Sequence, residues 1–198
     1  MSNQPINHAK HAEEVWQGYA ETGEKTSVPI TQAAAAEGSL HGASHVWVWR
    51  IRHQKLEILL QKRAPGKRTW PGYWDISAAG HIDFGETPLQ AAVREAKEEL
   101  NIDLDTEDMR LAYVHRAYLV SENEPVTVEN EFQFVYLTQA RADWIVALRD
   151  GEASEVRWFT IEAFADMVQR SDGHEKLVPH GDVYYASLFH AIDVSVDG

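Results

Sequence analysis

The sequence predicts an α/β (α+β) fold in which a mixed β-sheet is sandwiched between helices. Strand-like apolar runs occur in groups and do not alternate strictly with helices, which indicates a mixed sheet and not a doubly wound parallel one. One central segment, residues 88–100, has apolar residues at helical spacing. With 198 residues, 44% of them hydrophobic, the chain can bury the core of one domain.

Composition excludes several function classes. The formal net charge of −13 argues against a polymeric nucleic acid or an anionic membrane as partner. The absence of cysteine excludes disulfides, thiolate metal sites and cysteine nucleophiles. The chain has no apolar run of membrane-spanning length and its first residues do not resemble a signal peptide, so we expect a cytoplasmic protein.

The first part of the chain divides near residue 40. Residues 1–40 are polar and alanine-rich, and we interpret them as an N-terminal extension in which TQAAAAEG forms a short helix or a loop. Residues 41–198 are the expected domain. Within it, HVWVWRI and KLEILLQ are separated by a short polar turn and predict a β-hairpin. The segment APGKRTWPGYW predicts a loop, and DISAAG after it predicts a short extended stretch.

The helix at 88–100 has clear signals at both ends. Thr87 as N-cap with Gln90 three residues later predicts a capping box, and Pro88 occupies the first helical position, where no N–H is needed. Asn101 suits the left-handed conformation that ends many helices. Leu89, Ala92, Val93, Ala96 and Leu100 form an apolar face, so the helix should pack on a sheet.

Further elements are predicted towards the C-terminus. Strands are expected at about 110–119, 128–138 and 156–159, and helices at about 161–169 and 182–192. The aromatic residues Trp47, Trp49, Tyr73 and Trp74 could stack on a substrate base or pack in the core, and their strand spacing favours the core.

Three glutamates of the predicted helix share one side. Glu95 lies three residues before Glu98 and four before Glu99, so like charges repel near a helix end whose dipole also disfavours anions. A hard divalent ion, Mg²⁺ or Mn²⁺, would relieve both costs because it prefers carboxylate oxygens. The alternative from these residues alone is a solvated acidic face beside Lys97.

The residues around this helix resemble a known signature. The stretch GHIDFGETPLQAAVREAKEELNI, residues 80–102, resembles the Nudix signature G-x5-E-x7-R-E-U-x-E-E-x-G-U, where U is apolar. The matching positions are Gly80, Glu86, Arg94, Glu95, Ala96, Glu98, Glu99 and Ile102. Two positions of the stretch deviate from the signature: Ala96 is only weakly apolar where an apolar residue is expected, and Asn101 replaces the final glycine.

The resemblance implies a Nudix fold and a metal-dependent hydrolase. By that resemblance Glu95, Glu98 and Glu99 hold Mg²⁺ or Mn²⁺, with the Gly80 carbonyl as an additional ligand. Arg94 pairs with Glu86, and Glu98, Glu86 and Arg94 are the candidate catalytic residues. The implied substrate is a nucleoside di- or triphosphate or a related small-molecule diphosphate, and the implied assembly a homodimer. Which glutamate acts as base stays open.

A second tract indicates the branch of the family. RAPGKRTWPGYW resembles the R-x3-K-x2-W-P-G-x-W tract of isopentenyl diphosphate isomerases and related hydrolases, which implies that Arg63 and Lys67 bind the diphosphate. Without the resemblance, this basic stretch would be an ordinary solvated turn. The isomerases also build a metal site from histidines and a Glu-x-Glu strand, and the residues matched to it are His45, His81, Glu129 and Glu131. His41 is a candidate fifth ligand by the same resemblance, although its spacing from His45 is shorter than in the isomerases. We interpret His41, His53 and His115 as surface or capped residues.

The chain differs from the isomerases at the position of their catalytic acid. They place a cysteine directly before the Gly-His that opens the signature, whereas this chain has Ala79 there, and their tyrosine aligns loosely with His115. Hydrolysis needs neither residue, so a hydrolase is the favoured function. An isomerase with another acid, and a Nudix-fold ligand-binding module without catalysis, are the alternatives.

Overall fold

The structure is a computed structural model that describes residues 14–120, 128–148, 151, 153–170 and 175–197. These residues contain nine strands and four helices. The strands are β1 (Val15–Tyr19), β2 (Lys25–Thr31), β3 (His41–Arg52), β4 (Lys55–Arg63), β5 (Trp74–Asp75), β6 (Ala78–His81), β7 (Arg110–Val120), β8 (Val128–Gln139) and β9 (Ala153–Thr160). The helices are α1 (Gln32–Ala36), α2 (Pro88–Leu100), α3 (Ile161–Gln169) and α4 (Asp182–Asp197).

Strand β3 is the centre of the sheet. Along one edge its first half pairs antiparallel with β6 and its second half with β4. Along the other edge it runs parallel to β8, from His41 beside Glu131 to Trp49 beside Gln139. Strands β7 and β9 extend the sheet by antiparallel pairing with β8 and β4. The sheet is therefore mixed, as the grouping of strands predicted.

Alternation along β3 distributes its side chains between two cores. Val46 and Val48 face α2 and pack with Ala92, Ala96 and Leu100. Trp47 and Trp49 face the other side, where they pack with residues of α3 and α4. The sheet thus lies between helices, and the prediction that the strand tryptophans belong to the core is confirmed. No helix in the described part of the chain is long and apolar enough to cross a membrane.

Helix α2 begins and ends where the sequence predicted. The Gln90 backbone N–H donates to the Thr87 hydroxyl at 3.2 Å, and the Thr87 N–H donates to the Gln90 side chain at 2.8 Å, which completes the capping box. Asn101 has a φ of 57° and ends the helix in the left-handed conformation. Local chemistry at the two ends was sufficient to locate this element.

Most remaining elements agree with the prediction. The turn between β3 and β4 consists of His53 and Gln54, whose φ values of 51° and 62° are those of a two-residue hairpin turn. Helix α3 has the predicted bounds, whereas α4 continues to Asp197. Strand β9 begins earlier than predicted because it pairs with nearly all of β4.

The N-terminal region contributes strands to the sheet. TQAAAAEG contains the short helix α1, as expected. The preceding residues form a β1–β2 hairpin, and β1 meets β3 where Gly18 pairs with His41. Trp16 and Tyr19 of β1 are buried. Residues 15–36 are therefore packed on the domain, whereas the division of the chain near residue 41 stays a prediction.

The substitution Thr87→Ala should lower the free energy of unfolding by about 1 kcal/mol, because an N–H at the start of α2 loses its side-chain acceptor. Urea denaturation measures this difference, and Thr87→Ser, which keeps a hydroxyl, is the matched control. Equal stability of the alanine variant and the wild type would contradict the capping assignment.

Candidate active site

Arg94 organises the carboxylates around the start of the signature. Its guanidinium donates to both oxygens of Glu86, at 3.2 and 3.0 Å, in the bidentate geometry that makes such pairs strong. It also donates to Glu95 at 2.6 Å, to Glu98 at 3.3 Å and to the His81 carbonyl at 2.9 Å. One side chain thereby connects α2 to the loop and to the end of β6.

Glu99 is the most deeply buried glutamate of the helix. A single oxygen of its carboxylate accepts from the Gln61 amide at 2.9 Å and from the Ala79 backbone N–H at 3.0 Å. Burial, together with the negative charge of Glu95, raises the pKa of Glu99 to about 8. Burial also raises the pKa of Glu95. These two carboxylates lie where an anion is costly without a cation.

Gly80 allows α2 to lie against β6. A Cβ at this position would lie 2.0 Å from Glu95 Oε1, much closer than nonbonded atoms approach. Any other residue would displace the Glu95 carboxylate from its place beside Arg94. Glycine at the first signature position thus leaves the space that the Glu95 carboxylate occupies beside Arg94.

Two histidines and a glutamate form a second cluster, here called the His41–His81–Glu131 trio. The Nε2 atoms of His41 and His81 lie 3.3 and 3.5 Å from Glu131 Oε1, and the three potential ligand atoms lie within 4.8 Å of one another. His41 Nδ1 bonds to the Ser39 carbonyl at 2.8 Å, which makes Nε2 available as a ligand. The ring of Trp16 stacks on His81 with centroids 3.5 Å apart.

The two glutamates of β8 have opposite electrostatic environments. Burial would raise the pKa of Glu131, but hydrogen bonds with His41 and His81 hold it well below its usual range. Partial desolvation and the neighbouring charge of Glu131 raise the pKa of Glu129, whose side chain is more exposed than that of Glu131. Gln133 donates to both, at 3.3 Å to Glu129 and 3.0 Å to Glu131. Glu129 therefore lies next to the trio, as its spacing in the strand indicated.

His45 is not brought into the trio. The parallel register places His41 beside Glu131 but His45 beside Val135, about 13 Å along the strand from His41. His45 Nδ1 instead bonds to the Tyr184 hydroxyl at 2.8 Å. Burial, with a contribution from the charge of His180, lowers the pKa of His45 to about 3.

A cavity of about 580 Å³ lies on the α4 side of the sheet. Its wall includes the trio and a buried pair in which His180 Nε2 lies 2.9 Å from Asp75 Oδ1. Ala79 and Gly80 of β6 also line the cavity, and from the α2 side they approach the helix glutamates. Strand β6 is thus the boundary between the cavity and the signature helix.

The two basic residues expected to bind diphosphate lie near this boundary. Arg63 lines the cavity and donates to Asp75 Oδ2 at 2.9 Å, and to the carbonyl and hydroxyl of Thr69 at 3.0 Å each. Burial, then the positive charge of Arg63, lowers the pKa of Lys67, and the charges of Glu99 and Glu95 oppose that shift. Lys67 is thus within electrostatic reach of the helix glutamates.

Four residues of this site were not assigned to it from the sequence. His41 was interpreted as a surface or capped residue, although it shares a strand face with His45. Trp16 belongs to the segment interpreted as an extension. Asp75 and His180 are separated by 105 positions, and no local pattern connects them.

Comparison with known proteins identifies the family. The NUDIX domain family model matches residues 41–180, and the chain belongs to this family. It is 34% identical over 165 residues to Nudix hydrolase 3 of Arabidopsis thaliana, covering 81% of this chain and 21% of that protein. It is 32% identical over 167 residues to the isopentenyl-diphosphate Delta-isomerase of Ruegeria pomeroyi, covering 84% of this chain and 86% of that enzyme.

Other relatives are matched over a shorter region or by fold. An uncharacterized Nudix hydrolase of Listeria innocua is 45% identical over 78 residues, which is 39% of this chain and 44% of that protein. The chain thus spans less than half of the Arabidopsis and Listeria proteins. A solved structure from Deinococcus radiodurans aligns with a TM-score of 0.59 at 21% identity, covering 89% of this chain and 98% of that one. At that identity, the likeness shows the fold alone.

The substitution His41→Ala should weaken Mn²⁺ binding at least about tenfold, because it removes one nitrogen ligand of the trio. Isothermal titration calorimetry measures the affinity, and His53→Ala in the exposed β3–β4 turn is the control that should change nothing. If His41→Ala binds Mn²⁺ normally and His45→Gln loses binding, the histidine ligand is His45, as the resemblance to the isomerases implies.

Proposed function

We propose that this protein is a divalent-metal-dependent hydrolase of a diphosphate linkage in a nucleoside di- or triphosphate or a related organic diphosphate. The supporting observation is the convergence of Glu86, Glu95 and Glu98 on the Arg94 guanidinium beside Gly80. Three carboxylates share one guanidinium, so negative charge remains in excess there, and a bound divalent cation would offset it.

The residues fit a divalent ion in two ways. Glu95, Glu98 and Glu99 with the Gly80 carbonyl offer only oxygen, the ligand preferred by Mg²⁺ and Mn²⁺. Among the described residues, the ligand atoms of these three glutamates do not lie close together as a group, since Glu95 and Glu98 bind Arg94. The ligand atoms of the His41–His81–Glu131 trio do lie close together. Its mixture of imidazole and carboxylate suits Mn²⁺. A bound ion supplies positive charge that stabilises the negative charge developing on the diphosphate.

Glu98 is the best candidate for activating the attacking water. Its side chain is 54% exposed and its hydrogen bond from Arg94, at 3.3 Å, is longer than those of Glu95 and Glu86, whose side chains are mostly covered. An exposed carboxylate can accept a proton from water and pass it to solvent. Glu86 and Arg94 act as positioning residues, because their bidentate pair fixes the helix glutamates relative to β6.

Arg63 and Lys67 are the proposed diphosphate-binding residues. Arg63 is the last residue of β4 and lines the cavity, and Lys67 lies on the loop that follows, within electrostatic reach of Glu99 and Glu95. The positive charges of Arg63 and Lys67 would attract a diphosphate towards the helix glutamates, whose carboxylates would otherwise repel it. The network of Arg63 with Asp75 and Thr69 holds this loop in place before substrate arrives.

Hydrolysis fits this chain better than allylic isomerisation. The position that bears the cysteine of the isomerases is Ala79, which cannot transfer a proton, and the chain contains no cysteine elsewhere. Water activation by carboxylate needs no acid at that position. The set of acidic groups around Arg94 also disfavours a purely ligand-binding module.

The substitution Glu98→Gln should reduce kcat at least about 100-fold for any diphosphate compound that the wild type hydrolyses, because the amide cannot accept a proton. Released phosphate or diphosphate is measured with Mg²⁺ and with Mn²⁺. Thermal unfolding should be unchanged because the side chain is half exposed. The control is Glu107→Gln, an exposed glutamate outside the site. Undiminished turnover in the Glu98 variant would exclude its role.

A further inference from the structure

The wall of the cavity has two chemical zones. The inner zone carries the ionisable or polar side chains His41, His45, Asp75, His81, Glu131, Gln133 and His180 beside the buried apolar residues Ile76 and Val178, whereas Glu129 in the same wall is exposed. The rim carries exposed aromatic and apolar side chains: Trp70 is 37% exposed, Tyr118 68% and Leu119 47%. The wall also includes the basic residues Arg63, Arg68 and Arg116, so the cavity suits a ligand with an anionic part near these cations and a flat or apolar part at the rim.

Trp70 is held at the rim in an unfavourable backbone conformation. Its φ of 51° lies in the left-handed region, which costs a bulky residue on the order of 1 kcal/mol or more. Such conformations persist where the surrounding structure enforces them, and they are concentrated at ligand-binding sites. The indole also lies beside the ring of Tyr73, with centroids 5.2 Å apart.

A hydrogen-bond network reaches the residue next to Trp70. Arg63 donates to the carbonyl and the hydroxyl of Thr69, the residue before Trp70. Arg63 is fixed in turn by Asp75, which is buried and also bonded to His180. Arg63 thus links the backbone next to Trp70 to Asp75 and His180 of the cavity wall. An exposed tryptophan held in this way is preorganised to contact a ligand.

The chemistry of the two zones favours a planar ligand group over an alkyl chain. An isoprenoid chain gains most from a dry apolar pocket, but burial in the inner zone would desolvate Asp75 and Glu131. The rim leaves its ligand partly in water. A heteroaromatic base tolerates that environment because its edges are polar while its face stacks on an indole.

We propose that Trp70 is a specificity-determining residue that stacks on the base of a nucleoside diphosphate compound. This inference rests on the proposed function, because it assumes that the diphosphate end of the same ligand lies towards Arg63 and Lys67. It assigns the substrate class as nucleotide-derived and places the base at the rim of the cavity.

Equilibrium binding in the presence of Mg²⁺ tests the proposal, with ADP and inorganic diphosphate as probes. In Trp70→Ala the dissociation constant for ADP should rise roughly tenfold, the loss expected for one base–aromatic stack. The constant for inorganic diphosphate, which has no base, should not change. Trp70→Phe should retain most of the ADP affinity, and Ile145→Ala, at an exposed position away from the cavity, should bind as the wild type does.

Three results would overturn the proposal. Equal losses for ADP and inorganic diphosphate would show that Trp70 only maintains the loop. Unchanged ADP binding would show that the base lies elsewhere. Tighter wild-type binding of isopentenyl diphosphate than of ADP, lost in Trp70→Ala, would assign the rim to an isoprenoid.

Turnover by the same variants separates this proposal from the proposed hydrolase activity. If a nucleotide is hydrolysed, Trp70→Ala should raise its KM while leaving kcat nearly unchanged, because stacking is remote from the reacting bond. ADP binding that depends on Trp70, without hydrolysis of any nucleotide, would reject the hydrolase and retain the stacking role. Hydrolysis of a nucleotide with a KM that Trp70→Ala leaves unchanged would retain the hydrolase and reject the stacking role.

Discussion

The close approach of helix α2 to strand β6 is the constraint on which the site depends. Gly80, which has no side chain, leaves room there for the Glu95 carboxylate, and the contact is fixed by Arg94, which binds Glu86, Glu95 and the His81 carbonyl together. Loosening this contact would let the glutamates separate, since their charges repel one another. The approach also puts the glutamates directly behind the strand that bounds the cavity, so helix and cavity can act on one ligand.

The sheet determines which residues meet across the cavity. Because β3 runs parallel to β8, residues far apart in the chain become neighbours in pairs, and His41 is paired with Glu131. β6 binds the opposite edge of β3 and brings His81 to the same place. The N-terminal hairpin then covers the cluster with Trp16, although the matched family region begins only at residue 41.

Local chemistry explains what the sequence could predict. Helix α2 was located to the residue because its cap, its first proline and its terminal asparagine are determined by neighbours within four positions. The pairing of Arg94 with Glu86, implied by the signature, is also seen. By contrast, the choice between His41 and His45 depends on strand register, which no local pattern specifies. The Asp75–His180 pair depends on tertiary packing in the same way.

The most direct test of the account is the release of phosphate or diphosphate by the wild-type protein, measured before and after divalent ions are removed. The panel should contain nucleoside di- and triphosphates, nucleotide sugars, dinucleoside polyphosphates and isoprenoid diphosphates. The account predicts hydrolysis of at least one nucleotide compound, lost on metal removal and restored by Mg²⁺ or Mn²⁺. No hydrolysis across the panel, by protein shown to bind the metal, would contradict it.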